Sequence, residues 1–158
     1  MNDEKNMMDT ISSSLSLGDG WRVENVTFDE KSGEFHIFVV PASHEKFTCP
    51  VCGRICRSYD REESERVWRH IDMLEYRSFV HCRRPRVSCA FCGVRVISVP
   101  FARKGSRYTL SFEGAAVILT KAMPNDRVRK RLGISNTSLS YLCGASKESP
   151  PTENRHEI

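Results

Sequence analysis

Two short stretches, Cys49-Pro-Val-Cys52-Gly53 and Cys89-Ala-Phe-Cys92-Gly93, share the form Cys-x-x-Cys-Gly and decide how the middle of this chain folds. A two-residue spacer lets both thiolates of a tight turn point at one ion, and the following glycine lets the backbone turn beneath them. Four thiolates form a closed tetrahedral site with no open position for water. We therefore expect one structural Zn²⁺, held by Cys49, Cys52, Cys89 and Cys92.

The 36 residues between the two pairs, from Gly53 to Ser88, form a longer loop than compact zinc modules usually have. Doubling a loop costs only about 0.6 kcal/mol of closure entropy, whereas a structural zinc contributes about 10–16 kcal/mol. Loop length is therefore no objection, especially if the insert is itself a hairpin. The alternatives are a redox dithiol or plain buried cysteines, and a redox motif would leave the second pair unexplained.

The other cysteines, Cys56, Cys82 and Cys143, have no partner at this spacing. We interpret them as small apolar residues or spare thiols. His70 and His81 could ligate a metal, but a lone histidine in a strand is more often a structural or phosphate-contacting residue.

Charge is distributed unevenly along the chain. Residues 1–48 have a net charge of −5, residues 49–143 have +10, and the rest has −1. Between Tyr76 and Phe112, eight arginines and lysines occur without any acidic residue. This asymmetry indicates a polyanionic partner, with a merely solvated basic face as the alternative.

The N-terminus is polar and lacks the apolar segment of an export signal, and the longest strongly apolar run, Ala115 to Leu119, is too short to span a bilayer. We therefore expect a cytoplasmic protein in which the seven cysteines stay reduced.

The periodicity of apolar residues predicts an α+β chain, in which a small β-rich domain of the zinc-ribbon type precedes a helical helix-turn-helix segment. Strands are expected at Trp21 to Phe28 and Phe35 to Val40, which form a hairpin, and at Val67 to Ile71, Tyr76 to Cys82 and beside the second cysteine pair. The predicted parts are a flexible leader at 1–20, the zinc-finger domain at 21–102, the helix-turn-helix segment at 106–143 and a disordered tail at 144–158.

A helix is predicted from Thr109 to Met123, and two shorter ones follow at Asn125 to Leu132 and Asn136 to Leu142. Gly133 can adopt the left-handed conformation that ends a helix, and Ser135 can cap the next one. This is the pattern of a helix-turn-helix, whose second helix enters the major groove of DNA. An αα-hairpin packed for stability alone is the alternative.

Residues expected to contact DNA occur in both halves. Asn136 is the candidate base reader, since its amide can bond adenine in two places. The remaining candidates supply phosphate contacts or lie beside Asn136 on its helix; they are Arg83, Arg84, Arg86, Arg103, Lys104, Arg107, Arg127, Arg129, Lys130, Arg131, Thr137, Ser138 and Tyr141.

Four stretches together resemble the N-terminal region of bacterial insertion-sequence transposases of the ISL-three family. They are Cys49-Pro-Val-Cys-Gly, Val67-Trp-Arg-His-Ile-Asp, Arg83-Arg-Pro-Arg-Val-Ser-Cys-Ala-Phe-Cys-Gly-Val-Arg and Val99-Pro-Phe-Ala-Arg-Lys-Gly-Ser-Arg-Tyr-Thr. The resemblance covers about residues 15 to 143. It implies that the zinc finger and helix-turn-helix bind the terminal inverted repeats of a transposon, and that the protein is bacterial and associates with the nucleoid.

In that family a downstream RNase H-like domain cuts and joins DNA with acidic residues and divalent metal. Glu113 and Asp126 are the only acidic residues between Tyr76 and Cys143, and the tail departs from the family pattern. The resemblance therefore implies a truncated transposase, frameshifted or degenerate, that binds double-stranded DNA and is not an enzyme. The alternative is a zinc-stabilised interaction or regulatory module that self-associates or competes with full-length transposase.

Overall fold

The computed structural model describes residues 2–43 and 46–145. That part of the chain contains eight strands and four helices, and it divides into two compact units, one ending at Ser111 and one beginning at Phe112. The α+β class predicted from the sequence is confirmed. The strands are β1 (Trp21–Asp29), β2 (Glu34–Pro41), β3 (Lys46–Thr48), β4 (Ile55–Arg61), β5 (Arg66–Met73), β6 (Tyr76–Cys82), β7 (Pro85–Cys89) and β8 (Gly93–Val96).

Sheet A consists of two hairpins joined side by side, in the strand order β1-β2-β6-β5. The hairpin predicted at its start is confirmed, with Gly33 at φ +66° between β1 and β2. The second hairpin, β5 and β6, is also antiparallel. The two hairpins meet through β2 and β6, which run parallel, with Phe35 opposite Ser78 and Phe38 opposite His81.

Sheet B has the order β3-β4-β7-β8, and all its neighbouring strands are antiparallel. The two cysteine pairs lie in its turns, between β3 and β4 and between β7 and β8. The long insert between the pairs therefore contributes β4 and β7 to sheet B. Its hairpin, β5 and β6, leaves that sheet and completes sheet A.

A helix at the N-terminus, α1 (Asn2–Ser14), packs on sheet A. Ile11 is 3% exposed and belongs to the core cluster of the first unit, together with Leu15, Leu17, Val23, Ile37, Val39, Trp68, Val80, Cys82, Phe101 and Ala102. The prediction of a flexible leader at 1–20 is therefore wrong for residues 2–17, which include α1 and contribute Ile11, Leu15 and Leu17 to the core. Met8, Ile11 and Leu15 recur at helical spacing, and they bury an apolar face that the polar composition concealed.

The serines and threonine of α1 are compatible with the helix because their hydroxyls donate to carbonyls of the preceding turn. Thr10, Ser12 and Ser13 each bond the carbonyl four residues earlier, at 2.8, 2.8 and 3.0 Å. Such bonds satisfy side chains that would otherwise favour turns.

The second unit contains most of α2 (Leu110–Ala122) and all of α3 (Asn125–Leu132) and α4 (Asn136–Ala145). The three helices predicted here are confirmed, although α4 continues past Leu142. The predicted disordered tail lies outside the described residues from residue 146 onward. None of the described helices is both long and apolar enough to cross a membrane.

Replacing Ile11 by alanine should lower the free energy of unfolding of the first unit by about 2–5 kcal/mol, because a cavity would remain between α1 and the sheet. Urea unfolding followed by the fluorescence of Trp21 and Trp68 measures this. Met7, on the same helix, is 46% exposed, so Met7→Ala is the matched control and should change stability by about 0.5 kcal/mol or less. Equal effects of the two substitutions would contradict a docked α1.

Candidate metal centre and nucleic-acid interface

The two cysteine pairs converge on one point in the first unit. The Sγ atoms of Cys49, Cys52, Cys89 and Cys92 all lie within 4.8 Å of one another. Each pair sits on a tight turn that a glycine completes, with Gly53 at φ +73° and Gly93 at φ +76°. Both glycines adopt the left-handed conformation that residues with a Cβ rarely adopt. The spacing and the glycines therefore act as the sequence predicted.

Backbone amides in the turns face the sulfurs and favour their thiolate forms. Amides of Cys52 and Val51 lower the pKa of Cys49 below its ordinary value. Amides of Phe91 and Cys92 lower the pKa of Cys89 to about 6. A hydrogen bond to a charged group favours the charged form, so each turn prepares its first cysteine as an anionic ligand.

The pKa of the fourth thiol, that of Cys92, is raised instead of lowered, and a bound cation would counter this effect. Burial, followed by hydrogen bonding with the neighbouring thiols, raises the pKa of Cys92 to about 12. Four thiolates cannot share this space without a positive ion between them.

The sulfur positions fit zinc. Cys52 Sγ and Cys89 Sγ are 3.6 Å apart, and a tetrahedral ion with Zn–S bonds of about 2.3 Å places its ligand atoms roughly 3.8 Å apart. The four cysteines form a site for one structural Zn²⁺. Coordination by four thiolates leaves no position for a reacting water, so the ion ties the two turns together.

Two neighbours of the site were not identified from the sequence. The Arg54 guanidinium, just after the first turn, lies 3.8 Å from the ring centroid of Phe91 in the second turn, so a cation–π contact also links the turns. Cys56 is buried beside the cluster, and burial raises the pKa of its thiol, with nearby Cys89 adding to the effect. The interpretation of Cys56 as a small apolar residue agrees with this position.

His70 is a core residue. It is 1% exposed, and its Nδ1 lies 2.8 Å from Thr109 Oγ1. Burial, with a smaller contribution from Arg69, lowers the pKa of His70 to about 4, so the imidazole is neutral near pH 7. Cys82 is likewise buried, and burial raises the pKa of its thiol to about 12.

A basic groove lies beside the first cysteine turn, bounded by Pro50 and Val51 of that turn, by the end of β8 and by the loop at 97–105. Its volume is about 460 Å³, and no carboxylate lines it. Its cationic side chains are Arg66, Arg84, Arg95, Arg103 and Lys104. Of these, Arg66 and Arg95 were not among the residues predicted to contact DNA. Arg66 follows three glutamates in the sequence, so the net charge of its segment did not single it out.

The predicted arginines at 83, 84, 86 and 107 differ in what surrounds them. Arg84 donates two N–H bonds to Glu62, at 2.8 and 2.7 Å, and these bonds lower the pKa of the Glu62 carboxyl. Arg86 forms a similar double contact with Asp60. Arg83 and Arg107 are exposed. The Arg86–Asp60 pair links β7 to β4. The Arg84–Glu62 pair links the residue before β7 to the residue after β4.

The helix-turn-helix segment has the caps that the sequence predicted. Gly133 ends α3 in the left-handed conformation, with φ 66° and ψ 37°. The amide of Ser138 donates to Ser135 Oγ at 3.1 Å, which caps α4. Val128, Leu139 and Leu142 are buried, as the apolar spacing of the two helices requires.

The predicted DNA contacts in this segment are mostly on its surface. Asn136, Thr137 and Tyr141 are exposed, whereas Ser138 is half-buried. Arg127, Lys130 and Arg131 are exposed on α3. Arg129 donates to Asp126 at 2.7 Å, so its charge is partly balanced within the helix.

Purified protein should contain about one Zn²⁺ per chain, and Cys89→Ser should lose that ion and the folded state of sheet B, because the metal supplies much of its folding free energy. Metal analysis and a thermal melt followed by circular dichroism measure both effects. Cys143→Ser, which changes a thiol outside the cluster, should retain the ion. Zinc loss without any change in the melting curve would contradict a structural role.

Comparison with known proteins agrees with this geometry. Residues 45–92 match a family described as the zinc-finger of transposase IS204/IS1001/IS1096/IS1165. The chain is also similar to the transposase for insertion sequence element IS1557 from two strains of Mycobacterium tuberculosis, with 29% identity over 117 residues that cover 72% of this chain. It spans 26% of the length of those relatives. No solved structure matches it. The chain therefore contains a zinc-finger region of the ISL-three type, and it is similar to a transposase over 72% of its length.

Proposed function

We propose that this chain binds double-stranded DNA at the terminal inverted repeats of a transposon. The basic groove of the first unit carries the proposal, because five cationic side chains line it without any carboxylate. The similarity to a transposase for an insertion sequence element supports DNA as the polyanion. The groove would hold the phosphate backbone, and the helix-turn-helix of the second unit would read bases.

The groove suits phosphate because two of its arginines are anchored by one hydrogen bond each and keep donors to spare. Arg95 Nε donates to the carbonyl of Cys92 at 3.0 Å, which holds this side chain against the second zinc turn. Arg66 donates to the carbonyl of Ser106 at 3.3 Å, and its guanidinium lies 5.5 Å from the ring centroid of Trp68. A guanidinium has five N–H donors, so one such bond leaves others for a phosphate oxygen.

Within this proposal, the arginines of the predicted set have different tasks. Arg84 and Arg86 are engaged by Glu62 and Asp60, so they shape the groove and its surroundings. Arg83 and Arg107 are exposed, and with Lys104 they add attraction for phosphates. Phosphate contacts set affinity and orientation without reading sequence.

The helix-turn-helix supplies the sequence reading. In such motifs the N-terminal residues of the second helix reach base edges. Asn136 and Thr137 occupy the first turn of α4 and are exposed. Three cations of α3 are exposed and would contact the DNA phosphates on either side of the major groove; they are Arg127, Lys130 and Arg131.

We further propose that these residues bind DNA without cutting it. Strand transfer by two metal ions requires carboxylates that converge on ions about 4 Å apart. Within residues 2–43 and 46–145, the potential metal ligands that cluster in groups of three or more are the four cysteines. The alternative function, a regulatory module that competes with full-length transposase, stays a prediction, and mixed oligomers on co-purification would support it.

Reversing one charge in the groove should weaken binding to every duplex. Lys104→Glu should lower affinity about tenfold and reduce the slope of log K against log salt by about 1, because a phosphate contact is lost. Fluorescence anisotropy with a labelled duplex, repeated over a range of salt concentrations, measures both quantities.

The matched control is Lys31→Glu, which makes the same charge change in the exposed turn between β1 and β2. If Lys31→Glu and Lys104→Glu weaken binding equally, net charge explains the affinity and the groove has no special role.

Replacing Asn136 should affect sequence preference. Asn136→Ala should cost about 1–3 kcal/mol in affinity for the inverted repeat while leaving unrelated duplexes nearly unchanged, because a bidentate base contact is lost. Competition gel shifts between the inverted repeat and a scrambled duplex measure the ratio.

Two variants of the same segment serve as controls. Arg127→Ala should weaken both duplexes alike, as a phosphate contact does. Ser140→Ala, at an exposed position of α4, should change neither. Wild-type protein that binds both duplexes equally at physiological salt would remove the claim of specificity.

A further inference from the structure

Two histidines face each other across the parallel pair of strands in sheet A. His36 is on β2 and His81 is on β6, where each lies beside a phenylalanine of the other strand. Their neighbours along the strands, Ile37, Val80 and Cys82, are buried in the core. Side chains alternate across a sheet, so the two imidazoles lie on the face opposite the core. Their side chains are 23% and 13% exposed.

A carboxylate lies near the outer nitrogen of each ring, at hydrogen-bond distance for His81 and at ion-pair distance for His36. His81 Nδ1 lies 2.7 Å from Glu65 Oε1, and His36 Nε2 lies 3.4 Å from Glu34 Oε2. The two remaining nitrogens, His36 Nδ1 and His81 Nε2, face each other at 2.8 Å. The order of groups is therefore carboxylate, imidazole, imidazole, carboxylate.

The two inner nitrogens can hold a positive ion between them. The Glu65 carboxylate favours an N–H on His81 Nδ1, and a neutral imidazole has only one N–H, so His81 Nε2 presents a lone pair. When His36 carries its N–H on Nε2, the nitrogen nearer Glu34, its Nδ1 presents a second lone pair toward the first. A metal ion or a shared proton can then lie between the two nitrogens. In the other tautomer, His36 Nδ1–H donates to His81 Nε2.

We propose that His36 and His81 form a second metal site, which binds an exchangeable divalent zinc ion between their inner nitrogens. Neutral imidazole is a preferred ligand of zinc, and a carboxylate on the other ring nitrogen is the usual arrangement that orients such a ligand. Two neutral imidazoles, two carboxylates and one divalent ion have a net charge of zero, whereas the shared proton leaves a net charge of −1.

The geometry requires only a small adjustment. Zn–N bonds of about 2.0–2.1 Å in a tetrahedral site place two ligand nitrogens roughly 3.3 Å apart, and the present separation is 2.8 Å. Small rotations of the rings can supply the difference. Phe79 stacks on His36 at a centroid distance of 5.7 Å, and Phe38 stacks on His81 at 4.7 Å, so both rings are held near this orientation.

A metal ion bound here would stabilise the pairing of β2 with β6, which joins the two hairpins of sheet A. β2 belongs to the first hairpin and β6 to the second, and their pairing joins the hairpins. An ion bound to both histidines would stabilise this joint in proportion to the free metal concentration. Two protein ligands leave the remaining positions to water, so the ion would exchange more readily than the one held by four thiolates. The site is independent of the proposed DNA binding.

The test uses the full chain loaded with one Zn²⁺ at the cysteines. Equilibrium dialysis against micromolar to submillimolar free Zn²⁺ should show a second, saturable ion. Long-range ¹H–¹⁵N spectra of the imidazoles should show His36 Nδ1 and His81 Nε2 shifting together as that ion binds. A third readout is a rise in melting temperature with added Zn²⁺.

Three variants make the result specific. His81→Gln should lose the second ion and keep the first, and metal analysis of that variant shows whether it remains folded. Glu65→Gln should weaken the second site about tenfold, because the ligand loses its orienting carboxylate. Glu63→Gln removes the same charge from an exposed residue two positions away and should leave the site unchanged.

Three outcomes would overturn the proposal. One is a second ion that persists in His81→Gln. Another is equal weakening by Glu65→Gln and Glu63→Gln. The third is a spectrum in which the inner nitrogens share a proton, or His36 Nδ1 carries one, and remain unchanged as Zn²⁺ is added.

Discussion

The attraction between one divalent cation and four thiolates is the interaction on which sheet B depends. The core of this sheet has five buried residues, Cys49, Cys56, Val87, Cys89 and Ile97, and three of them are cysteines. Such a small apolar cluster cannot offset the entropy of ordering four strands. Removing the ion would also leave thiolates prepared by backbone amides in close mutual contact. The metal therefore supplies folding free energy and relieves the repulsion that its own ligands create.

The same ion fixes the connection between the two sheets. Between the two cysteine turns the chain runs through β4, leaves for the β5–β6 hairpin and returns as β7. Because β4 and β7 pair with each other, they hold together the two ends of the β5–β6 hairpin, which lies beside β2 as a unit. β6 of this hairpin pairs in parallel with β2. The cost of this arrangement in loop closure is small compared with the free energy of the bound metal.

The sequence predicted the features that depend on local chemistry. The glycines of the cysteine turns, the hairpin at Gly33 and the caps at Gly133 and Ser135 each result from residues close together in the chain. The pairing of β2 with β6, the ion pairs of Arg84 and Arg86 and the contact of His36 with His81 join residues far apart in sequence, so their partners appear only with the strand register. The N-terminal helix was missed for another reason. Polar residues such as serine and aspartate dominate its composition, whereas three apolar residues on one face pack it against the core of the first unit.

The long-range ion pairs also clarify where positive charge is available. The prediction from sequence treated Arg84 and Arg86 like the other candidate phosphate contacts and left out Arg95. In the structure, Glu62 and Asp60 on the β4 side balance Arg84 and Arg86, whereas Arg95 is tied by its Nε to a zinc turn through a neutral carbonyl. A carbonyl orients a guanidinium without cancelling its charge, and a carboxylate does both. The charge of Arg95 therefore remains available beside the zinc site, and the metal, by fixing the second cysteine turn, also fixes the position of this cation.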